Sequence, residues 1–168
     1  MTRCKNFQIE LDLSSHPYEG GLPDMSNTMS SALKSISTLF RKSHAWLNDS
    51  CAHCALTAAQ ALVISIVCDF EILTQDGITK RLGLDKSVIA KTVAKLEELG
   101  FLVRTTNVLD KRTYDIHPTP KAWEVYPFVK EQVEVCFQRM TQKMTDTERA
   151  EFKRLLQLAA ETAIALDD

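Results

Sequence analysis

Three lysines lie along one short segment of this sequence. Residues 82–104 read LGLDKSVIAKTVAKLEELGFLVR, and they contain Lys86, Lys91 and Lys95. An ammonium group binds phosphate well, so a helix that carries three of them could lie against a polyanion such as DNA. The alternative is a surface helix with solvated lysines, and the three lysines taken alone favour it.

Other polar and basic residues near the three lysines favour DNA binding over a solvated surface helix. Ser87 stands at the start of the segment, where a hydroxyl can reach a base or a phosphate, and Arg104, Lys111 and Arg112 follow it. Residues 74–117 hold eight Lys or Arg against six Asp or Glu, although the whole chain has a formal net charge of −2. The middle of the chain is its only basic part, and only mildly so. Together with the order of elements described below, the added cations favour double-stranded DNA as a partner.

A second group of residues could bind a metal or exchange disulfides. Cys51 and Cys54 form a C-x-x-C pair around His53, and His44 precedes them by about two helical turns. A closed zinc site needs four ligands, so both histidines would have to join the two thiolates. The alternative is two ordinary thiols between two helices. Zinc or redox sensing is therefore a hypothesis.

Composition and motifs exclude several other classes of protein. The sequence has no G-x-S-x-G, P-loop, dinucleotide-binding glycine pattern or H-E-x-x-H. Residues 55–67, the longest apolar stretch, are too short and too polar to span a bilayer, and residues 1–15 lack the apolar region of a secretion signal. Five cysteines, an odd number, favour free thiols. We expect a cytoplasmic protein without enzyme activity, cofactor or membrane contact.

Capping residues and apolar spacing predict three helices before the lysine segment. The first is capped by Ser26 or Asn27, and its apolar positions continue to about Leu47. Thr57 caps the second, in which Leu62, Ile66 and Phe70 lie on one face. The third is short. It runs from Gln75 to Leu82, with Thr74 as its cap and Gly83 as its C-terminal glycine.

The lysine segment predicts a fourth helix, and two strands and two helices follow it. Asp85 is its N-cap, and its buried stripe consists of Ile89, Val93 and Leu96. Strand-like runs at residues 101–106 and 113–117 flank a polar connection. A long helix then begins at Thr119-Pro120, and a last one begins at the capping box Thr145–Glu148.

This order of elements predicts a mainly α fold with a small β-hairpin wing. Three compact helices followed directly by a two-stranded ribbon are typical of a winged helix-turn-helix. The flanking helices have no large domain to cover, so we expect them to bury their apolar faces against a second copy. The predicted divisions are an irregular arm (1–25), a helical dimerisation region (26–56 and 119–168) and a DNA-binding domain (57–118).

From about Ser26 to Leu166 the sequence resembles the MarR family of bacterial transcription regulators. The run LTQDGITKRLGLDKSVIAKTVAKLEELGFLVR is similar to the family's helix-turn-helix, and LDKRTYDIHPTPKA to its wing. Asp110 and Arg112 match the D-x-R pattern at the wing tip, where the family's arginine enters the DNA minor groove and its aspartate orients it. The resemblance implies a homodimer on a palindromic operator, usually a repressor.

The resemblance also implies a small aromatic or phenolic effector that modulates DNA binding. By analogy its pocket lies between the dimerisation helices and the DNA-binding lobe. The residues expected near that junction are His44, Trp46, Cys51 and Phe70. Core packing is the alternative for the aromatic side chains among them.

The sequence departs from the family pattern on the lysine helix. Val88 and Ala90 stand where Ser or Thr is common, and Lys91 and Lys95 replace the frequent arginine, whose planar fork reads guanine bidentately. The missing hydroxyls, together with the mild charge of residues 74–117, motivate the first of two alternatives to the ligand-responsive regulator, and the C-x-x-C pair motivates the second. One is a dimer of the same fold with weak DNA binding that acts through a protein partner. The other is a metal- or thiol-sensing regulator that uses the C-x-x-C pair.

Overall fold

The computed structural model describes residues 29–165, with side chains from Ser31 onward. The predicted arm (1–25) and the predicted cap at Ser26 or Asn27 lie outside the described residues. The chain divides into two compact units, residues 1–36 and residues 37–168. Of the first unit, only the start of the first helix is described.

Six α-helices and three short strands make up the described part of the chain. The helices are α1 (Met29–Cys51), α2 (Ala58–Phe70), α3 (Gln75–Leu82), α4 (Lys86–Glu98), α5 (Pro120–Met140) and α6 (Asp146–Ala165). One turn of 3-10 helix, Ala52–Cys54, follows α1. The strands are β1 (Leu73–Thr74), β2 (Leu102–Thr106) and β3 (Tyr114–Pro118).

The predicted helix caps are present with one exception. The Thr57 hydroxyl accepts the Gln60 amide at 3.3 Å, while the Gln60 side chain accepts the Thr57 amide at 2.8 Å, which completes a capping box. The Thr74 and Thr119 hydroxyls accept the Gly77 and Ala122 amides and cap α3 and α5, and Thr145 forms a second capping box with Glu148 at the start of α6. Asp85 occupies the N-cap position of α4 but makes no side-chain capping bond.

The sheet has one strand more than the sequence predicted. β1, β3 and β2 pair in that order, both pairs antiparallel. Leu73 of β1 lies opposite Ile116, which also faces Arg104 of β2. Because β1 is only two residues long and Thr74 also caps α3, no alternating pattern marks it. The β2–β3 hairpin, the predicted wing, is thereby tied to the start of α3.

One apolar core holds the winged helix-turn-helix together. Its fully buried side chains come from α1, α2, α3, α4, β3 and α5, and the largest include Ile64, Ile78, Ile89, Leu96, Ile116 and Val129. The stripe predicted for α4 is confirmed, since Ile89, Val93 and Leu96 are all fully buried. Burial of one such aliphatic side chain contributes about 1.5–3 kcal/mol.

The α2 face that carries Leu62, Ile66 and Phe70 is not the side that packs on the core. Phe70 is 50% exposed, and Leu62 and Ile66 are only half-buried. The inner face instead carries Ala61, Ile64, Val67 and Cys68, with Val63 beside it. α2 is apolar on nearly every side, so its sequence does not single out one stripe.

The flanking helices leave apolar side chains exposed in the single chain. On α6 no residue is buried, and Leu155, Leu156 and Leu158 face solvent. α5 ends at Met140, because Thr141 begins a turn in which its hydroxyl donates to the Phe137 carbonyl at 2.8 Å. Arg149 of α6 donates to that hydroxyl at 3.1 Å and ties the two helices.

Among residues 29–165 no single helix is long and apolar enough to cross a membrane. Residues 31–54 and α2 reach that length and composition only together, as a pair bent by 80°.

Candidate nucleic-acid interface

Helix α4 presents a polar face opposite its buried stripe. Its buried residues recur every three or four positions and hold the helix on the core. As a result Ser87, Val88, Lys91, Ala94 and Lys95 are all exposed on the other side. A helix of 13 residues anchored in this way can enter a DNA major groove without disturbing its own packing.

Two lysines of this face are held by carboxylates of the same chain. Lys86 Nζ lies 3.2 Å from Asp76 Oδ1 of α3, and Lys95 Nζ lies 2.8 Å from Glu98 Oε2 one turn away. All four side chains are largely exposed. Exposed pairs of this kind contribute at most about 1 kcal/mol, so phosphate can replace the carboxylates.

Arg104 differs from the other predicted DNA-binding cations. Its Nε lies 2.9 Å from Glu97 Oε2, and both side chains are half-buried. The Nε–H is not aligned for a hydrogen bond, so the contact is an ion pair only. Because Arg104 lies on β2 and Glu97 on α4, this pair links the predicted wing to the predicted recognition helix.

Three cations have no partner among the described residues. The side chains of Lys91, Lys111 and Arg112 make no hydrogen bond or ion pair with residues 29–165, and all three are exposed. Arg112 also lines a cavity of about 230 Å³ beside Arg104 and the first residues of α3. These ammonium and guanidinium groups are free to bind an external anion.

The wing tip is built around Asn107. Its Oδ1 accepts the amides of Leu109 and Asp110 at 2.8 Å each, and its Nδ2 donates to Asp115 Oδ1 at 2.7 Å. Asp110 Oδ1 in turn accepts the backbone amide of Arg112 at 2.9 Å. The aspartate of the D-x-R pair therefore positions the backbone of the arginine. The Arg112 guanidinium makes no hydrogen bond or ion pair with the Asp110 carboxylate.

A cavity of about 310 Å³ lies between α1, α2, α5 and the turn after α3. Its walls are mostly apolar: Phe40, Ser43, His44, Leu47, Leu62, Leu82, Leu84, Val133, Cys136, Phe137 and Met140. Of the four residues expected at an effector pocket, only His44 lines it. The ring of His44 packs against Phe40, with 4.2 Å between ring centroids.

The other three expected effector residues lie elsewhere. The Cζ atom of Arg139 lies over the Trp46 ring, 4.3 Å from the ring centroid. The Cζ atom of Arg81 lies over the Phe70 ring at the same distance. Cys51 is fully buried in the core. The sequence placed these residues near a junction but could not show which of them point toward a shared space.

The four predicted metal ligands are not brought together. Among residues 29–165 no three His, Cys, Asp or Glu side chains are placed to hold a metal. His53 lies 3.0 Å from the Ser50 carbonyl and packs edge-on against Phe128. Burial, followed by the nearby Cys54, raises the pKa of the Cys51 thiol, which opposes the thiolate that metal binding and disulfide exchange require.

Sequence reasoning missed the carboxylates that hold the cations. The i, i+3 spacing of Lys95 and Glu98 could have revealed one pair. Asp76 and Lys86 lie on different helices, so their pairing depends on the fold. The apolar wall of the cavity was missed for the same reason, since α1, α2 and α5 each contribute to it.

These elements define the class of the protein as a winged helix-turn-helix. Residues 56–113, from the loop before α2 to the wing tip, match the model of the MarR family. The match covers about a third of the chain, so this segment is similar to the MarR family, and the architecture described above agrees with that similarity.

One curated relative is a transcriptional regulatory protein for the hcr operon of Thauera aromatica. It is 29% identical over 104 residues, which cover 60% of this chain. The matched part spans 63% of the relative's own length.

Solved structures share the fold. A MarR protein from Peptoclostridium difficile matches with a TM-score of 0.76 and 22% identity, over 87% of this chain and 95% of that one. A MarR-family protein from Listeria monocytogenes, solved with 26mer DNA, matches with a TM-score of 0.74 and 19% identity, over 79% of this chain and 89% of that one.

Proposed function

We propose that this chain is a DNA-binding transcriptional regulator without enzyme activity, and that it acts in the cytoplasm. The exposed polar face of α4, next to a wing whose Arg112 has no partner among the described residues, is the observation that carries the proposal. In it, α4 enters the major groove of double-stranded DNA and the wing enters the adjacent minor groove. The Listeria relative solved with DNA supports the same use of the fold.

Each predicted DNA-binding residue receives a role that fits its surroundings. Lys86, Lys91 and Lys95 bind phosphates, and Ser87 binds a phosphate or base edge near the start of α4. The exposed Val88 has no hydroxyl, so its contact is apolar and suits a thymine methyl group. A recognition surface of this kind binds backbone strongly and reads few bases by hydrogen bonds.

The wing cations and Arg104 have different roles in the proposed complex. Lys111 and Arg112 are free for phosphate and for the minor groove, whose width depends on sequence. Asp110 acts indirectly, because it holds the backbone of Arg112. Arg104 is engaged by Glu97, and we assign it to fixing the wing on α4 rather than to a base contact.

We further propose a homodimer on a palindromic operator, with repression as its mode of control. The exposed leucines of α6 support an apolar interface with a second copy. A two-fold dimer places its two α4 helices on half-sites about one helical turn of DNA apart, roughly 34 Å. The operator sequence should therefore show the same two-fold symmetry.

The 310 Å³ cavity supports the proposal of a small aromatic or phenolic effector. Its size lies at the lower end of the range for small-molecule sites, about 300–1,000 Å³. Ser43 and His44 are polar, and no Lys or Arg lines it. An unpaired carboxylate there would lose its hydration without compensation, so the lining favours a neutral phenol over a benzoate-like acid.

Fluorescence anisotropy with the upstream intergenic DNA of the gene tests the proposal, with a scrambled duplex as reference. We expect tight, sequence-selective binding that weakens steeply as salt rises from about 50 to 200 mM. Arg112→Ala should weaken binding by about tenfold and reduce the salt slope by about one. Lys143→Ala, in the turn after α5, is a matched control that removes an exposed cation outside the interface.

Weak and equal binding to both duplexes would contradict the proposal. It would instead support the dimer of the same fold that acts through a protein partner. If DNA binding is found, the same assay screens effectors by release of the labelled duplex. A phenol should release DNA at lower concentration than the corresponding carboxylate.

A further inference from the structure

Two aliphatic side chains stand at the tip of the wing. Leu109 is 96% exposed and Val108 is 89% exposed, more than any other large apolar side chain described between residues 31 and 165. Single exposed leucines are common on protein surfaces. Two adjacent ones at the end of a hairpin that the proposed function places against DNA call for a specific partner.

The turn holds these side chains outward. The Asn107 side chain fixes the amide of Leu109, and the Asn107 amide donates to the Thr113 carbonyl at 3.1 Å. The Thr113 amide and hydroxyl both donate to the Asp110 carbonyl at 3.0 Å. Turning Val108 or Leu109 toward the sheet would break several of these bonds, so the apolar tip is part of the folded wing.

The charge of the tip explains why an apolar contact is needed. Residues 107–115 contain two cations, Lys111 and Arg112, and two carboxylates, Asp110 and Asp115. The formal charge of the tip is therefore zero, so the two carboxylates offset part of the attraction of Lys111 and Arg112 to phosphate. A neutral tip enters a groove lined by phosphates only if other contacts offset the loss of hydration.

We propose that Val108 and Leu109 form an apolar contact with the deoxyribose walls of the minor groove. The proposal rests on the proposed function and deepens it by naming specificity residues in the wing. Other proteins that bind the minor groove also place apolar side chains there, as wedges between base steps. Lys111 and Arg112 follow the pair in the hairpin and have no partners among the described residues. Their positive charges complement phosphate, which favours DNA over a protein surface as the occupant.

The proposed contact differs from an ionic one in its response to salt. Apolar packing releases no counterions, so it should contribute equally at low and high salt. The contact also depends on groove shape, because the side chains reach both walls only where the groove is narrow. Val108 and Leu109 would then favour operators with A·T-rich sequence beneath the wing.

The double variant Val108→Ser, Leu109→Ser tests the proposal in the anisotropy assay. Neither side chain holds the turn, so the variant should fold, and a thermal melt checks this. We expect operator affinity to fall by roughly tenfold with an unchanged salt slope, as for partial loss of two buried aliphatic side chains. Arg112→Ala should instead lower the slope. Leu109→Met should keep the affinity near wild type.

Val103→Thr is the matched control, an exposed apolar residue of the same hairpin outside the tip. Unchanged affinity of the double variant, with wild-type protein bound to DNA, would overturn the inference and leave the proposed function intact. Absence of DNA binding by the wild type would overturn the proposed function itself. A change in oligomeric state of the double variant would assign the tip to a second copy and also overturn the inference.

Discussion

At the scale of single residues, carboxylates of the same chain already pair with two lysines of the proposed DNA-binding face. Lys86 and Lys95 are paired with Asp76 and Glu98, whereas Lys91 is free of partners among the described residues. To bind phosphate, the two paired lysines must leave their carboxylates, and the carboxylates then lie close to the DNA backbone. In the proposed complex, we therefore expect Asp76 and Glu98 to weaken binding and to restrict it to duplexes that supply enough favourable contacts.

The variants Asp76→Asn and Glu98→Gln should bind DNA more tightly than wild type. We expect a gain of about twofold to fivefold at low salt for each, because one exposed ion pair no longer competes with phosphate. The gain should shrink at high salt, where screening weakens both interactions. Anisotropy titrations at two salt concentrations measure it.

Glu151→Gln is the control for this prediction, since it frees Arg154 on α6 from a similar exposed pair at 2.7 Å. It should leave DNA binding unchanged. Equal or weaker binding of Asp76→Asn and Glu98→Gln at low salt would show that the carboxylates do not compete with DNA.

The sequence predicted individual residues well where the cause is local. Thr57 and Thr74 are caps, and Ile89, Val93 and Leu96 are buried, because capping and helical period act over three or four residues. Partners that depend on the fold were not predictable in this way. Asp76 reaches Lys86 only because the turn between α3 and α4 brings the two helices together.

At the scale of elements, the angle between α3 and α4 depends on Gly83. Gly83 has a φ of 59°, in the left-handed region, and its amide closes α3 by donating to the Thr79 carbonyl at 2.9 Å. A Cβ at this position would meet no atom within 4 Å. Only the backbone conformation, and not lack of space, requires glycine here.

Gly83→Ala should destabilise the protein by about 1 kcal/mol, since an alanine rarely adopts this conformation. Urea unfolding followed by circular dichroism measures the change. Gly83→Asn is the matched control and should cost less, because asparagine tolerates the left-handed region better. Equal stability of the alanine variant and wild type would mean that the turn can change its backbone conformation without loss of stability.

The element order of the winged helix-turn-helix was predictable, and two details were not. β1 is too short to form a pattern, and it became visible only through its pairing with β3. The inner face of α2 was not predictable because apolar residues surround the helix. A periodic signal fails when every side of a helix is apolar, and neighbouring elements then decide which side is buried.

At the scale of the whole molecule, the apolar side chains of α6 are not covered by the rest of the single chain. Leu155, Leu156 and Leu158 are exposed in the single chain, and α6 has no buried residue. An apolar helix face of this kind is usual at the interface of a homodimer. DNA binding to a palindrome and formation of the dimer would then be coupled.

Leu155→Glu should convert the proposed dimer to a monomer at micromolar concentration and weaken operator binding by more than tenfold. A buried, unpaired carboxylate would be placed in the interface, which costs several kcal/mol. Sedimentation equilibrium measures the mass, and Lys143→Glu in the turn after α5 serves as control. A wild-type protein that sediments as a monomer would contradict the dimer.

The wall of the 310 Å³ cavity includes Leu82 and Leu84, on either side of the turn that joins α3 to α4. A molecule that fills the cavity would act on the turn that orients α4, and such coupling is reciprocal. Operator DNA would therefore lower affinity for the effector by the same factor by which the effector lowers affinity for DNA. Protein free of DNA would be the more sensitive receptor, and the concentration that triggers a response would rise with the number of occupied operators.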